Sequence, residues 1–307
     1  MKISLLFVAA AAAALGLALG APLAVTVGGL IAFGALHNVL ELRYVAGRFS
    51  SLLTGRFLAV LLGLVTAIVL CRLAALVVGA PARYAEILVG YGVLAAACVH
   101  ALRGARLVLG LLVLVLAASV SLAFSQYHFV VLAHLHNVVP LFFLWEWAGR
   151  LRRPGPFRWT QVAWVLVLPA LVLAGAFDFA LRGLVSSPVV ASIAPPGSSA
   201  LVGTRFLVVF AFLQTMHYFV WVFFLPRYAP EAPRFLLGRR AWLLGLGLAA
   251  LLAIPFAIDY ATGRALYGAF ASYHAYLEFP VLLAAVAGGS QPVSRKTASG
   301  RQVAAAV

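Results

Sequence analysis

Charged side chains are scarce in this chain of 307 residues: Asp, Glu, Lys and Arg together make up 9% of it, and only seven residues are acidic. A soluble globular domain carries about 25% charged residues, so the composition excludes that class of protein. Hydrophobic residues make up 65% of the chain. The composition therefore predicts an all-α, polytopic membrane protein built as a transmembrane helix bundle.

Cysteine is almost absent as well. The two cysteines, Cys71 and Cys98, fall within predicted apolar spans rather than in a secreted loop, which argues against a disulfide framework.

The histidine boxes of membrane desaturases, His-x-x-x-His and His-x-x-His-His, do not occur in the sequence. The His-Glu-x-x-His motif is also absent, which excludes the common zinc-protease pattern.

The apolar residues fall into long runs. Taking about 20 residues as the length that crosses the hydrocarbon core, we predict ten spans, at 3–20, 22–42, 57–79, 84–102, 106–125, 127–148, 160–182, 201–225, 240–259 and 265–286. The first span is also typical of a secretory signal, and its cleavage would leave nine spans; we favour a retained helix. Residues 1–287 are predicted to form one transmembrane domain, and 288–307 a disordered cytoplasmic tail.

Basic residues are distributed unevenly between the two sides of the predicted bundle. With both termini in the cytoplasm, that side collects seventeen Lys and Arg residues, against three on the other side, which are Arg83, Arg182 and Arg264. This asymmetry predicts cytoplasmic N- and C-termini in an inner (cytoplasmic) membrane. It also accounts for the net charge of +15, so we expect membrane lipids as the surroundings and no nucleic-acid partner.

Two arginines fall within spans instead of loops. Arg205 can extend to the outer interface, whereas Arg72 lies deep enough to need a partner. The acidic residues away from the histidines are predicted at the interfaces, with Glu86, Asp178 and Asp259 at the outer side and Glu146 at the inner side.

All seven histidines lie on even-numbered spans, which run parallel to one another. An ionisable side chain in hydrocarbon is costly and normally faces the interior of the bundle. Counted from the inner ends of the spans at about 1.5 Å per residue, the depths of four histidines overlap. We therefore predict one intramembrane metal centre whose ligands are His37, His136, His217 and His274.

Two of the predicted ligands are followed four residues later by a carboxylate, Glu41 after His37 and Glu278 after His274. Residues four apart share a helix face, so each carboxylate is predicted to orient its neighbouring imidazole or to bind the metal itself. The predicted catalytic residues are Glu41, Glu278 and Tyr218. The other nearby hydroxyl candidates are Tyr44 and Tyr273.

The remaining histidines are predicted to lie away from the site. His134 and His136 are two residues apart, about 200° around a helix, so both cannot easily face one centre. We favour His136 because the run 135–138, Leu-His-Asn-Val, repeats the run 36–39, and His134 is the alternative. His100 and His128 lie near span ends and are predicted to be interfacial.

Imidazole with oxygen ligands suits iron, copper, zinc or nickel. The absence of cysteine beside the candidate ligands argues against iron–sulfur and thiolate-haem chemistry. A haem held by two histidines is one alternative, and copper is another. Four dispersed histidines with neighbouring carboxylates fit a non-haem iron centre better.

This order of motifs resembles the bacterial Brp/Blh family of β-carotene 15,15′-dioxygenases. The resemblance rests on an early His and carboxylate, a mid-chain His, a late His in an aromatic span, and a final His and carboxylate: His37, Glu41, His136, His217, His274 and Glu278. It implies a multi-span fold with an iron centre held by histidines, and cleavage of a carotenoid to retinal.

Two positions depart from the family's pattern. The family's early motif reads His-Gly-x-x-Asp, where residues 37–41 of this chain read His-Asn-Val-Leu-Glu. Its late span carries two histidines four apart, where this chain has His217 and Trp221.

We expect a membrane-embedded non-haem metal oxidoreductase or oxygenase, with iron as the metal and an apolar lipid or isoprenoid from the bilayer as the substrate. The first alternative is a proton-coupled transporter, because intramembrane His and Glu pairs relay protons and prolines break helices near midplane sites. The relevant prolines are Pro140, Pro169, Pro255 and Pro280. The second alternative is a bis-histidine haem protein, which a Soret band would reveal.

Overall fold

The computed structural model describes residues 2–229 and 238–287, and every regular element in these ranges is helical. Nine helices in this part of the chain are long and apolar enough to cross a membrane. The predicted all-α class and the multi-pass membrane character are therefore confirmed. The predicted disordered tail, 288–307, lies outside the described residues.

The helices are numbered in chain order. They are α1 (Lys2–Gly20), α2 (Pro22–Arg48), α3 (Gly55–Val78), α4 (Ala80–Ala101), α5 (Gly104–Ala123), α6 (Ser125–His136), α7 (Pro140–Ala148), α8 (Pro154–Leu173), the short α9 (Pro188–Ala191), α10 (Ala200–Tyr228), α11 (Arg239–Ile258) and α12 (Tyr260–Ala287). The nine candidate spans are the first nine predicted ones, with α6 and α7 together counting as one. The tenth predicted span, 265–286, lies within α12, which is not among those nine.

The sixth predicted span is broken in its middle. Helix α6 ends at His136 and α7 begins with Pro140, with turn residues between them. A proline has no N–H to donate, and inside a helix its ring clashes with the carbonyl four residues earlier. For Pro140 that carbonyl belongs to His136, so the proline ends the helix at one of the predicted ligands.

Two long helices contain π-helical segments, Ala163–Val167 in α8 and Phe219–Phe224 in α10. Each segment contains the residue four positions before a proline, Val165 before Pro169 and Val222 before Pro226. The carbonyl of that residue loses its normal helical partner, and a wider turn is one way to accommodate the loss. The second π segment starts directly after Tyr218, beside His217.

Helices α2, α10 and α12 lie at the centre of the bundle. Helix α2 packs against α10, α11 and α12, while α12 also packs against α3 and α4. Helix α5 contains no buried residue and lies at the periphery. One close approach brings α11 onto α2, where a Cβ atom built on Gly245 would lie 2.7 Å from Leu36 Cδ1 and 3.0 Å from Leu36 Cα.

We predict that Gly245→Ala and Gly247→Ala have opposite effects on stability. The new methyl group at position 245 would push against the backbone of α2, and overpacking of this kind costs about 1–3 kcal/mol. Gly247, two residues away on the same helix, has no heavy atom within 4 Å of the built Cβ. There, alanine should stabilise the helix by about 0.5–1 kcal/mol.

Thermal unfolding of both variants in the same detergent measures the difference. Equal unfolding temperatures for the two variants would contradict the close packing of α11 on α2.

Candidate metal centre

The four predicted ligands come from four different helices and lie together in the structure. His37 is on α2, His136 on α6, His217 on α10 and His274 on α12. Two sets of ligand atoms can hold a metal ion, with all atoms of a set within 4.8 Å of one another: His37, His136 and His217, and His37, Glu41 and His274. The two sets share His37, so they form one cluster, which we call the histidine cluster.

The imidazole rings contact one another directly. The Nε2 atoms of His136 and His274 are 3.0 Å apart. The ring of His37 lies edge-on to those of His217 and His274, with 5.0 Å between ring centroids in both cases. Two nitrogens bound tetrahedrally to one metal at about 2.0–2.1 Å are themselves about 3.4 Å apart. The His136 and His274 nitrogens are at hydrogen-bond distance, and a shared metal would need to part them by only about 0.4 Å.

Hydrogen bonds at the outer ring nitrogens fix which nitrogen faces the centre. The Nδ1–H of His37 donates to the carbonyl of Phe33 at 3.1 Å. The Nδ1–H of His136 donates to Glu278 Oε2, also at 3.1 Å. In both residues Nε2 is left as the unprotonated nitrogen, which is the form that binds a metal.

The carboxylates pair across helices, which corrects the pairing predicted from the sequence. Glu278 binds His136 on α6 rather than His274 on its own helix. Glu41 Oε2 lies 3.4 Å from Nε2 of His217 on α10. Two side chains four residues apart both point towards the facing helix, so each glutamate reaches a histidine there. In α2 the backbone carbonyl of Phe33 already occupies Nδ1 of His37.

The cluster is buried. His37, Glu41, His217, His274 and Glu278 are at most 3% exposed. The side chain of His136 is 18% exposed, so the cluster is open on that side alone.

Several polar atoms in the cluster have no hydrogen-bond partner among residues 2–229 and 238–287. They are both oxygens of Glu41, Oε1 of Glu278, both ring nitrogens of His217 and Nδ1 of His274. Each unsatisfied buried polar atom costs about 1–3 kcal/mol. Neither glutamate forms an ion pair with Lys or Arg in the described part of the chain. Two carboxylates and two imidazoles with unpartnered atoms, beside the imidazoles of His37 and His136, fit a divalent cation, which would supply both the missing partner and the missing charge.

A layer of tyrosines lies next to the cluster. The ring of Tyr218 is 4.6 Å from that of His37, and its hydroxyl accepts a hydrogen bond from Gln214 Nε2 at 2.9 Å. Tyr267, on α12, has its hydroxyl next to Tyr218 and Asn38. Its ring lies against Gly34, where any Cβ would be 2.7 Å from the ring.

Sequence reasoning missed Tyr267 and Asn38. Tyr267 precedes His274 by seven residues, which is two helical turns and places it on the same face of α12. That spacing, read together with Gly34, was the available signal.

The other candidates lie away from the cluster. His134 Nε2–H donates to the carbonyl of Ile193 at 2.9 Å, so of the two neighbouring histidines it is His136 that faces the cluster. His100 stacks on Phe57. The hydroxyl of Tyr273 is 2.9 Å from that of Thr66, and that of Tyr44 accepts from Arg48 at 2.6 Å. Of the three tyrosines predicted from the sequence, Tyr218 contacts a cluster histidine.

Arg72, which lies within a span and was predicted to need a partner, pairs with an acidic residue. Its Nε donates to Glu86 at 2.8 Å and its Nη1 to the carbonyl of Gly268 at 2.6 Å. The hydroxyl of Tyr276 donates to the same carboxylate at 3.3 Å. Glu86 is 3% exposed, because it lies between helices and neutralises the partly buried Arg72. Its predicted position at the outer interface stays a prediction.

The other acidic residues lie at the surface. Arg205 Nε donates to Asp178 at 2.9 Å, and this hydrogen bond lowers the pKa of the Asp178 carboxyl. Glu146 pairs with Arg48 at the end of α2.

Comparison with family models, with curated proteins and with solved structures finds no match for this chain. A function for the histidine cluster therefore has to be inferred from its geometry and from the sequence.

We predict that Glu278→Gln weakens divalent metal binding by about 10–100-fold, the usual effect of losing a residue that orients a metal-binding histidine. The amide keeps the shape of the side chain but removes the charge that fixes the tautomer of His136. Calorimetric titration with Zn²⁺ measures the affinity without interference from redox chemistry. Glu146→Gln is the control, because Glu146 pairs with Arg48 away from the cluster; equal affinities in the two variants would refute the role of Glu278.

Proposed function

We propose that the protein is a membrane-embedded non-haem metal oxidoreductase that acts on an apolar lipid or isoprenoid. The observation that carries the proposal is the buried set of four imidazoles and two carboxylates, held by four helices and lacking any cationic partner among the described residues. Nitrogen and oxygen ligands without cysteine suit first-row transition metals. Bound iron would supply one-electron and dioxygen chemistry.

Close ring contacts favour a non-haem centre over a haem. The four imidazole centroids that contact one another are separated by 4.7–5.0 Å. A porphyrin plane would have to part these rings. Copper remains the alternative metal, since imidazole binds it well.

The protein's own residues would exclude water, orient the ligands and hold a proton. The cluster is buried except at the side chain of His136, so little water reaches the centre. The exclusion of water strengthens electrostatic interactions there. The Tyr218 hydroxyl accepts from Gln214 and lies next to the Tyr267 hydroxyl, so the two tyrosines share a proton that Tyr218 can donate. Tyr218 is the hydroxyl that we assign to proton transfer beside the metal.

The resemblance to the Brp/Blh family makes oxidative cleavage of a carotenoid-like isoprenoid the reaction class that we propose. The family's second late-span histidine has no counterpart here. Trp221 is fully buried between Tyr44 and Phe143, with ring centroids 5.6 and 5.2 Å away. His136 and His274 would complete the imidazole set instead.

A proton-coupled transporter is the second candidate, and the break at 137–139 beside His136 is the observation that favours it. Transporters place broken helices next to buried ionisable groups. In that case the His and Glu pairs would relay protons and the purified protein would contain no metal.

Elemental analysis with an optical spectrum on detergent-purified protein tests the proposal. We expect about one iron per chain without a Soret band. His136→Ala should lose most of that iron, whereas His134→Ala, two residues away on the same helix, should retain it. A Soret band, or no iron after anaerobic reconstitution with Fe²⁺, would eliminate a non-haem iron centre, and pH-dependent uptake by proteoliposomes would then favour transport.

We predict that Tyr218→Phe lowers the rate at which the protein oxidises its lipid substrate by about 100-fold and leaves the iron content unchanged. Proton transfer by a positioned group contributes about 10²–10⁴-fold to a reaction rate. The phenylalanine ring keeps its packing against His37. Tyr273→Phe is the matched control, because its hydroxyl contacts Thr66 on α3. Oxygen consumption by the two variants measures the effect, and equal rates would exclude Tyr218 from catalysis.

A further inference from the structure

A groove of about 450 Å³ lies between α4, α5, α6 and α12, outside the histidine cluster. Apolar side chains from all four helices form most of its wall, among them Val93, Val120, Leu132 and Phe279. Helix α5, which closes one side, packs on the bundle without burying any of its residues. A ligand could therefore enter the groove sideways from the hydrocarbon phase.

One end of the groove is polar. Tyr91, Ser121 and His128 all line it. The Ser121 oxygen is 2.8 Å from the Tyr91 hydroxyl and 3.1 Å from Nδ1 of His128. A neutral tyrosine, serine and histidine offer three donor hydrogens, and two hydrogen bonds use only two of them. In whichever direction these bonds run, one donor is left without a partner among residues 2–229 and 238–287.

The leftover donor indicates what the groove binds. An unpaired donor in an apolar environment is unfavourable unless an acceptor reaches it. The rest of the lining offers a long apolar surface. A ligand that matches both features is an extended apolar molecule with a hydroxyl or carbonyl oxygen at one end.

The other end of the groove approaches the histidine cluster. Leu132 lines it and lies one helical turn before His136, the cluster residue with an exposed side chain. Phe279 also lines it and directly follows Glu278, the partner of His136. His128 and His136 are eight residues apart on α6, which is about 12 Å along the helix axis.

We propose that this groove is a binding site for an elongated isoprenoid or similar lipid with a terminal hydroxyl or carbonyl oxygen. The polar end holds that oxygen at Tyr91, Ser121 and His128, and the apolar chain extends towards His136. The assignment of this ligand as the substrate rests on the proposed function. The binding site itself does not, since its polar end is about 12 Å from the cluster.

Binding of two radiolabelled probes to the full-length protein in lipid nanodiscs tests the proposal. The probes are geranylgeraniol and the hydrocarbon of the same skeleton without the hydroxyl group. We expect geranylgeraniol to bind more tightly by about three- to tenfold, the usual effect of one hydrogen bond between neutral groups. Ser121→Ala should remove that preference. Ser119→Ala should keep it, because Ser119 bonds to the Val115 carbonyl of its own helix and does not line the groove.

A second pair of variants tests the location. Ala117 lines the groove on α5, so Ala117→Trp should abolish binding of both probes, whereas Leu116→Trp, on the exposed face of the same helix, should not. Equal binding of the two probes, or the same affinity in Ser121→Ala as in Ser119→Ala, would overturn the proposal in favour of a groove that holds membrane acyl chains.

The same measurement on protein with and without bound metal separates this inference from the proposed function. Probe preference that persists in metal-free protein supports the groove whether or not iron is found. Normal iron content with no probe preference would overturn the groove assignment and leave the metal centre standing.

Discussion

The burial of four imidazoles and two carboxylates at one place in an apolar bundle is the constraint on which the rest of the structure depends. Each of these groups alone would be costly in hydrocarbon. Their burial requires α2, α6, α10 and α12 to converge at one point, with α2, α10 and α12 at the centre of the molecule and α6 contributing His136 from the side. Helix α5 carries no member of the cluster and lies at the edge.

Sequence reasoning found the positions of the cluster but not its internal pairing. Polar residues are so few in the apolar spans that each one is expected to face the interior of the bundle. The depths of His37 and His274 along their spans therefore indicated that the two residues could meet. The bond from His136 to Glu278 depends on the rotation of α6 relative to α12, and the periodicity of a single helix does not encode it. Tyr267 was missed for a related reason, since its position depends on the absence of a side chain at Gly34 on another helix.

The Arg72 site shows how the same bundle treats a charge whose role is structural. Arg72 is matched by Glu86, by a backbone carbonyl and by the ring of Tyr276. These contacts tie α3, α4 and α12 together and leave the charge neutralised. The two glutamates of the histidine cluster have no such partner in the described part of the chain. The contrast within one protein is the strongest physical reason to assign a cation to the cluster.

Pro140 links the proposed metal centre to the proposed lipid site. Because α6 ends at His136, its last carbonyls bond within the following turn, Leu135 to the Val138 N–H and His136 to the Val139 N–H. The helix dipole carries partial negative charge at this end. A cation at the cluster would be stabilised by that charge. The same break leaves His136 less enclosed than the other three histidines, on the helix that also forms the wall of the groove. An unbroken helix over 125–148 would have no C-terminus at His136, so the negative end of a helix dipole would not lie beside the cluster.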